Sequence, residues 1–134
     1  MDKLLTLEIV SPVKKVYSGF VNSVSAPGIL GEFQILFNHA AMVSVLDIGI
    51  IKINSDTFEE IKFSVSGGTL EVRNNIVNIL AETIESKDDL DVERARRSLE
   101  RANQRIESHE KDFDRERSLL SIKRAKNRLK LAGK

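Results

Sequence analysis

The chain changes character near Lys87. Ahead of that point glycines and prolines recur and apolar residues alternate. Beyond it charge is dense and periodic, and neither glycine nor proline occurs between Thr69 and Ala132. Glycine and proline are the strongest breakers of a regular helix, so their spacing bounds what each half can become. The first half can hold only short elements, and the second can hold long helices. The sequence therefore predicts a β-domain over residues 1–86 and a helical hairpin over 87–134.

In the first half, Leu5, Leu7 and Ile9 alternate with Thr6, Glu8 and Val10, the period-2 pattern of a half-buried strand that Pro12 ends. Ile61, Phe63 and Val65 alternate in the same way, as do Leu70 and Val72. Ile76 to Ala81 is more continuously apolar and reads as a central strand. Phe20–Ser25, Glu32–Leu36, Met42–Leu46 and Ile50–Ile53 are further short runs. Turn residues fall between them at Pro27-Gly28, Asp47-Ile48-Gly49, Asn54-Ser55-Asp56, Gly67-Gly68 and Asn74-Asn75. Short strands at this spacing predict an antiparallel β-sandwich.

In the second half, Ser86 to Asp89 has capping-box spacing and begins the first helix. Ala95, Leu99, Ala102 and Ile106 form one apolar stripe, and Ile122, Ala125, Leu129 and Ala132 form another. Ser108 to Asp112 is the expected turn. Both stripes are narrow and rich in alanine, so the hairpin gains little from folding on itself. It reads equally as a static pair or as an element able to open.

Composition removes several functions. The absence of cysteine excludes disulfides, thiolate metal sites and cysteine nucleophiles. No run approaches the ~20 apolar residues of a membrane span, and the start lacks the apolar core of a signal peptide. The expectation is a soluble protein of the cytoplasm that meets a membrane only through a partner. No phosphate-cradling loop with its lysine is present; Ser66-Gly67-Gly68-Thr69 reads as a hairpin turn. His39 and His109 stand without a ligand set, so neither a metal site nor a catalytic constellation is expected.

The arginines carry more chemistry. Arg94, Arg97, Arg101 and Arg105 recur at steps of three and four, as do Arg124 and Arg128. In a closed antiparallel hairpin Arg94 and Arg101 would approach Arg124 and Arg128. Guanidiniums gathered there need an anion, and arginine binds phosphate oxygens through two bonds. The alternative is local neutralisation, Glu93 with Arg97, or Glu100 with Arg97 and Arg101. Residues 118–134 hold six basic residues and no acid. Such an end suits an acidic partner. It has no aromatic interleaving, so base stacking, and with it nucleic-acid binding, is not expected.

Taken together the chain resembles the epsilon subunits of bacterial F-type ATP synthases over essentially its whole length. The resemblance is carried by Ile9-Val10-Ser11-Pro12 with Val16-Tyr17, by Gly31-Glu32-Phe33 through Ile35-Leu36 to His39, and by Ser66-Gly67-Gly68 with Leu70-Glu71-Val72-Arg73. Ile79-Leu80-Ala81-Glu82 and the closing Lys123-Arg124-Ala125-Lys126-Asn127-Arg128-Leu129 add to it. The chain departs from the family where members commonly read Gly-Ile-Leu-Pro-Gly-His-Ala-Pro. Here Gln34-Ile35-Leu36-Phe37-Asn38-His39-Ala40-Ala41 has neither glycine nor proline.

The resemblance implies a sandwich of about ten strands that docks on the gamma subunit and the ring of c subunits, as part of a proton-translocating rotor at the cytoplasmic face of the bacterial membrane. It implies a non-catalytic subunit, whose helices lie compact or extend toward the alpha and beta subunits to inhibit ATP hydrolysis. His39, Lys123, Arg124, Lys126 and Lys130 are the implied partner contacts. Some members bind ATP as a regulatory ligand through Ile/Leu-Asp-x-x-Arg-Ala, complete here as Leu90-Asp91-Val92-Glu93-Arg94-Ala95. The implied ATP contacts are Glu85, Leu90, Asp91, Arg94, Ala95, Arg101, Arg124 and Arg128. No cofactor is otherwise required. The rival reading is a free-standing β-domain adaptor whose basic helical tail binds an acidic protein or nucleic acid.

Overall fold

A computed structural model of the protein describes residues 3–108 and 115–133. The chain divides into two compact units, Met1–Ser86 and Lys87–Lys134.

Eight strands make up the first unit: β1 (Leu5–Val10), β2 (Lys15–Val21), β3 (Ser23–Gly28), β4 (Gly31–Leu36), β5 (Met42–Ser55), β6 (Phe58–Arg73), β7 (Ile76–Ala81) and β8 (Ile84–Ser86). Their order is β2-β1-β7-β6-β5-β3-β4, with β8 beside β6. The pairing separates two layers. One holds β2, β1 and β7 with the second half of β6 and the first half of β5. The other holds β4, β3 and β8 with the remaining halves of those two long strands. Between the layers lies one apolar core. Leu5, Leu7, Ile9, Leu70, Val72, Val77 and Ile79 enter it from the first, and Val24, Ile35, Ile51, Ile53, Phe63 and Val65 from the second. The sandwich expected from alternation is therefore present, and the alternating residues are the ones that fill it.

Eight strands are described where the resemblance implied about ten, and two predicted turns are not turns. Asp47-Ile48-Gly49 lies inside β5, and Gly67-Gly68 inside β6. Each long strand passes from one layer to the other between the pairs Leu46–Gly68 and Ile48–Ser66, with the register kept. Glycine is required on the β6 side. Gly67 has φ 85° and Gly68 φ 142°, and a Cβ on Gly68 would collide with the carbonyl of Leu80. Glycine here marks the passage of one strand between layers rather than a chain reversal, a distinction that sequence spacing does not make.

Other differences are local. The run Phe20–Ser25 is two strands parted at Asn22, whose N–H donates to the Asn54 carbonyl at 2.8 Å. The turn expected at Pro27-Gly28 falls at Ile29-Leu30, because Pro27 and Gly28 still pair with Glu32 and Gly31. β1 and β7 run parallel within an otherwise antiparallel sandwich, since distant strands have no tight turn to set their direction. On edge strand β2 the Tyr17 ring lies across Gly19 and against the core, and burial pushes its phenol above the ordinary value.

The second unit opens with one 3₁₀ turn, Lys87–Asp89, and continues with α1 (Val92–Ser108) and α2 (Arg115–Ala132). The first helix therefore starts at Val92 rather than at Ser86. Its cap is Asp91, whose Oδ1 accepts the Arg94 N–H at 3.0 Å while its carbonyl accepts the Ala95 N–H at 3.0 Å. Asp91 wins over Ser86 because the intervening residues form the tighter 3₁₀ turn. The expected turn at Ser108–Asp112 and His109 lie outside the described residues apart from Ser108 itself. No described helix is long and apolar enough to cross a membrane.

Candidate functional site: an arginine-flanked helical pair and an exposed sheet face

The two helices pack against each other. They hold 17 and 18 residues, about 26 Å each at 1.5 Å per residue. Packed helices joined by so short a link are antiparallel neighbours. Their buried residues are small and seven apart: Ala95 and Ala102 on α1, Ser118 and Ala125 on α2. Leu131 is buried as well. The remaining stripe residues Leu99, Ile106, Ile122, Leu129 and Ala132 are half-buried. Small residues at a seven-residue repeat let two backbones approach closely along one seam. Sequence reading found the alanines and missed Ser118, because a serine does not register in an apolar pattern.

This seam organises the arginines. Arg94 and Arg101 each precede a seam alanine of α1, and Arg117 and Arg124 precede Ser118 and Ala125 on α2. Reversing one helix brings the same flank of each to the same side. The four guanidinium-bearing positions therefore line one side of the seam, while Leu99 and Ile106 with Ile122 and Leu129 line the other. Arg94 and Arg101 are exposed; Arg124 and Arg128 are half-buried. Arg97 is turned further from the seam than Arg94 and Arg101, which narrows the face expected from spacing alone.

None of the local pairs offered as the alternative is present among the described residues. Glu93 pairs with Arg96 at 3.0 Å instead of with Arg97, and Arg101 donates to Ser98 Oγ at 3.3 Å. An i,i+3 pair on an exposed face is worth only a few tenths of a kcal/mol, but it removes Glu93 from the arginine flank. Arg105, Arg117, Arg124 and Arg128 have interactions of their own. The flank can hold an anion: it presents several bidentate donors beside a helix start whose dipole favours negative charge.

The other expected ligand residues divide between the units. Leu90 is half-buried between the 3₁₀ turn and α1, and Ala95 sits in the seam. Glu85 is a half-buried residue of β8, opposite Ser64 of β6, and so belongs to the first unit. Lys123, Lys126 and Lys130 are exposed on α2, with Leu119 and Leu120 exposed near its start. Among the described residues no three His, Asp or Glu side chains group as a metal site.

His39 lies just after β4, half-buried. Its Nδ1 donates to the Ala40 carbonyl at 2.7 Å, which in the neutral ring leaves Nε2 as an acceptor.

A second surface escaped the sequence reading. Ile76–Ala81 is the central strand its apolar run predicts, yet Ile76 and Leu80 are about half exposed while Val77 and Ile79 are buried. β7 is central by pairing, but the outer face of its layer is bare. The register places Ile76 beside Thr6, which faces Phe20, and places Leu80 beside Thr69, which faces Val45. Val43, Val45 and Phe20 are exposed too. Apolar side chains gathered on one sheet face are the mark of a protein contact. The signal was in the sequence: β7 has apolar residues at the solvent positions of its alternation.

The family models agree with both units. The beta-sandwich domain of the ATP synthase delta/epsilon chain matches residues 4–87, and the long alpha-helix domain of the same chain matches residues 88–133. Among curated relatives, the ATP synthase epsilon chain of Desulforamulus reducens is 39% identical, covering 98% of this chain and 99% of that one. That of Halalkalibacterium halodurans is 40% identical, covering 97% and 98%. Among solved structures, a chain of the Euglena gracilis mitochondrial ATP synthase, OSCP/F1/c-ring, shares the fold. Its TM-score is 0.86 at 18% identity, covering 100% of this chain and 84% of that one.

Proposed function

Because the chain belongs to the family of ATP synthase epsilon chains, we propose that it is a non-catalytic rotor subunit of the central stalk, linking the gamma subunit to the c-ring and restraining ATP hydrolysis through its helices. The observation that carries this reading is that both units match the family over nearly their full length. The first unit is the docking module. Its bare apolar sheet face, with Phe20, Val43, Val45, Ile76 and Leu80, suits a lasting contact with gamma, and the loop bearing His39 suits the ring. The complex brings it to the cytoplasmic face of the bacterial membrane.

The second unit is the regulator. Its seam buries small side chains and is easily given up, as an element that alternates between compact and extended forms requires. Lys123, Lys126 and Lys130 face solvent on a segment without acids and offer an acidic patch of alpha or beta a complementary surface. ATP is a regulatory ligand of the compact form, held by the arginine flank. It shifts the population only as far as it prefers that form.

Two measurements test this. Removing residues 87–134 should leave a sandwich that unfolds cooperatively and still assembles, while the complex hydrolyses ATP faster. Unchanged hydrolysis at low ATP would remove the regulatory role. Calorimetry of the full chain should detect ATP binding, weakened about tenfold or more by Arg94→Ala or Arg128→Ala, since charge-assisted bonds contribute about 1.5–3 kcal/mol each. Arg96→Ala should change little. An absence of binding at millimolar ATP would return the arginines to surface ion pairing.

A further inference from the structure

The loop between β4 and β5 has few of the usual means of holding a shape. Residues 34–41 include no glycine and no proline, yet the end of β4 and the loop after it present Leu36 and Phe37, 52% and 36% exposed, beside His39. Its backbone nevertheless takes a demanding form. Asn38 has φ 64°, a left-handed conformation that asparagine tolerates better than most residues.

What holds it comes from a different hairpin. The Asn38 N–H donates to Asn75 Oδ1 at 2.6 Å, and Asn75 Nδ2 donates to Asn38 Oδ1 at 3.3 Å. Asn75 lies in the β6–β7 turn, itself at φ 61°, and its carbonyl accepts the Thr6 N–H of β1 at 2.9 Å. The loop closes on itself only through the His39 N–H to the Leu36 carbonyl at 3.1 Å and the histidine ring bond to Ala40. The side chain of Asn75 thus ties a loop 37 residues away to the rigid centre of the sheet.

We propose that Asn75 is a positioning residue for docking: its amide latches Asn38 and so holds Leu36, Phe37 and His39 in the form that meets the c-ring. This rests on the docking reading above. A loop left to sample other conformations must be ordered on binding, and that entropy is subtracted from affinity. The latch orders it beforehand, doing with a side chain what glycine and proline do within a backbone.

The test uses the full chain and a purified rotor subcomplex of gamma and c-ring. Asn75→Gly keeps the left-handed turn accessible and removes only the amide. Asn75→Asp keeps the acceptor for the Asn38 N–H. Hydrogen exchange at the Asn38 amide reads the latch in the free chain, and the dissociation constant reads docking. Asn75→Gly should lose the slow exchange of Asn38 and dock about five- to tenfold more weakly, with cooperative unfolding retained. Asn75→Asp should keep the slow exchange and most of the affinity. Lost protection with undiminished docking in Asn75→Gly overturns the proposal, as does free exchange of Asn38 in the parent chain. Phe37→Ala separates the two ideas. If it too docks with full affinity, the loop is not the docking surface, and that part of the functional reading fails with the proposal. If Phe37→Ala weakens docking and Asn75→Gly does not, the proposal alone fails.

Discussion

The sandwich fully buries Leu5, Leu7, Ile9, Ile35, Ile51, Ile53, Leu70 and Ile79, whereas the helical pair buries Ala95, Ala102, Ala125, Ser118 and a single leucine, Leu131, among the described residues. Each large aliphatic side chain withdrawn from water contributes about 1.5–3 kcal/mol, and a buried methyl or methylene about 0.8. Residue for residue, the first unit is held far more firmly than the second. The difference suits the two roles proposed above: a docking module has to keep its shape, and a regulator that changes form has to be held by interactions it can surrender. Stability is distributed unevenly here, through side-chain volume.

The largest expected effect tests the rigid side. Leu70→Ala opens a cavity between the layers and should cost about 2–5 kcal/mol in denaturant unfolding. A loss below 1 kcal/mol would mean that the sandwich core is loose and would erase the contrast. Next comes the seam. Ala102→Leu forces extra volume between closely packed backbones and should destabilise the pair by about 1–3 kcal/mol. Hydrogen exchange should quicken across α1 and α2 and stay unchanged in β5 and β6. Faster exchange in the sandwich as well would show that the units share one cooperative transition.

Loss of the cap is smaller. Asp91→Ala should cost about 1 kcal/mol, with faster exchange confined to the first turn of α1, and Asp91→Asn should restore most of it. If Asn fails to restore it, the carboxylate acts by charge rather than as a hydrogen-bond acceptor. The smallest effect belongs to Tyr17. Its phenol titrates above 10.0 in the folded chain because burial disfavours the charged form. The folded state therefore binds the proton more tightly, so this contribution is complete below about pH 10 and is lost as pH rises through the folded value. Tyr17→Phe should flatten the alkaline arm of a stability-versus-pH curve. An unchanged arm would place the alkaline loss elsewhere.

Much of this molecule was legible in order. The alternation of Leu5, Leu7 and Ile9 and of Ile61, Phe63 and Val65 identified core positions or their close neighbours, because a strand's period of two is fixed by backbone geometry. The alanine stripes identified the seam for the parallel reason that a helix's period is fixed. The motif Leu90 to Ala95 pointed to the start of a helix, although the cap proved to be Asp91. What stayed hidden depended on partners distant in sequence. Gly67-Gly68 looks the same in a hairpin turn or inside a long strand until β5 and β7 lie beside it. Ile76 and Leu80 look buried until their layer is found to be bare outside. Glu93 could reach either Arg96 or Arg97, and only side-chain packing chose.

The sequence by itself determined the two-part architecture, the face each element turns inward, and the family. Those follow from local periodicity, from the placement of glycine and proline, and from motif order, all of which are written along the chain. The tertiary structure alone decided that β5 and β6 pass unbroken through both layers, that Glu93 pairs with Arg96, and that Asn75 holds Asn38. The first and the last of these bring together residues that the chain keeps apart, and no local pattern encodes which distant backbone will supply the missing hydrogen bond.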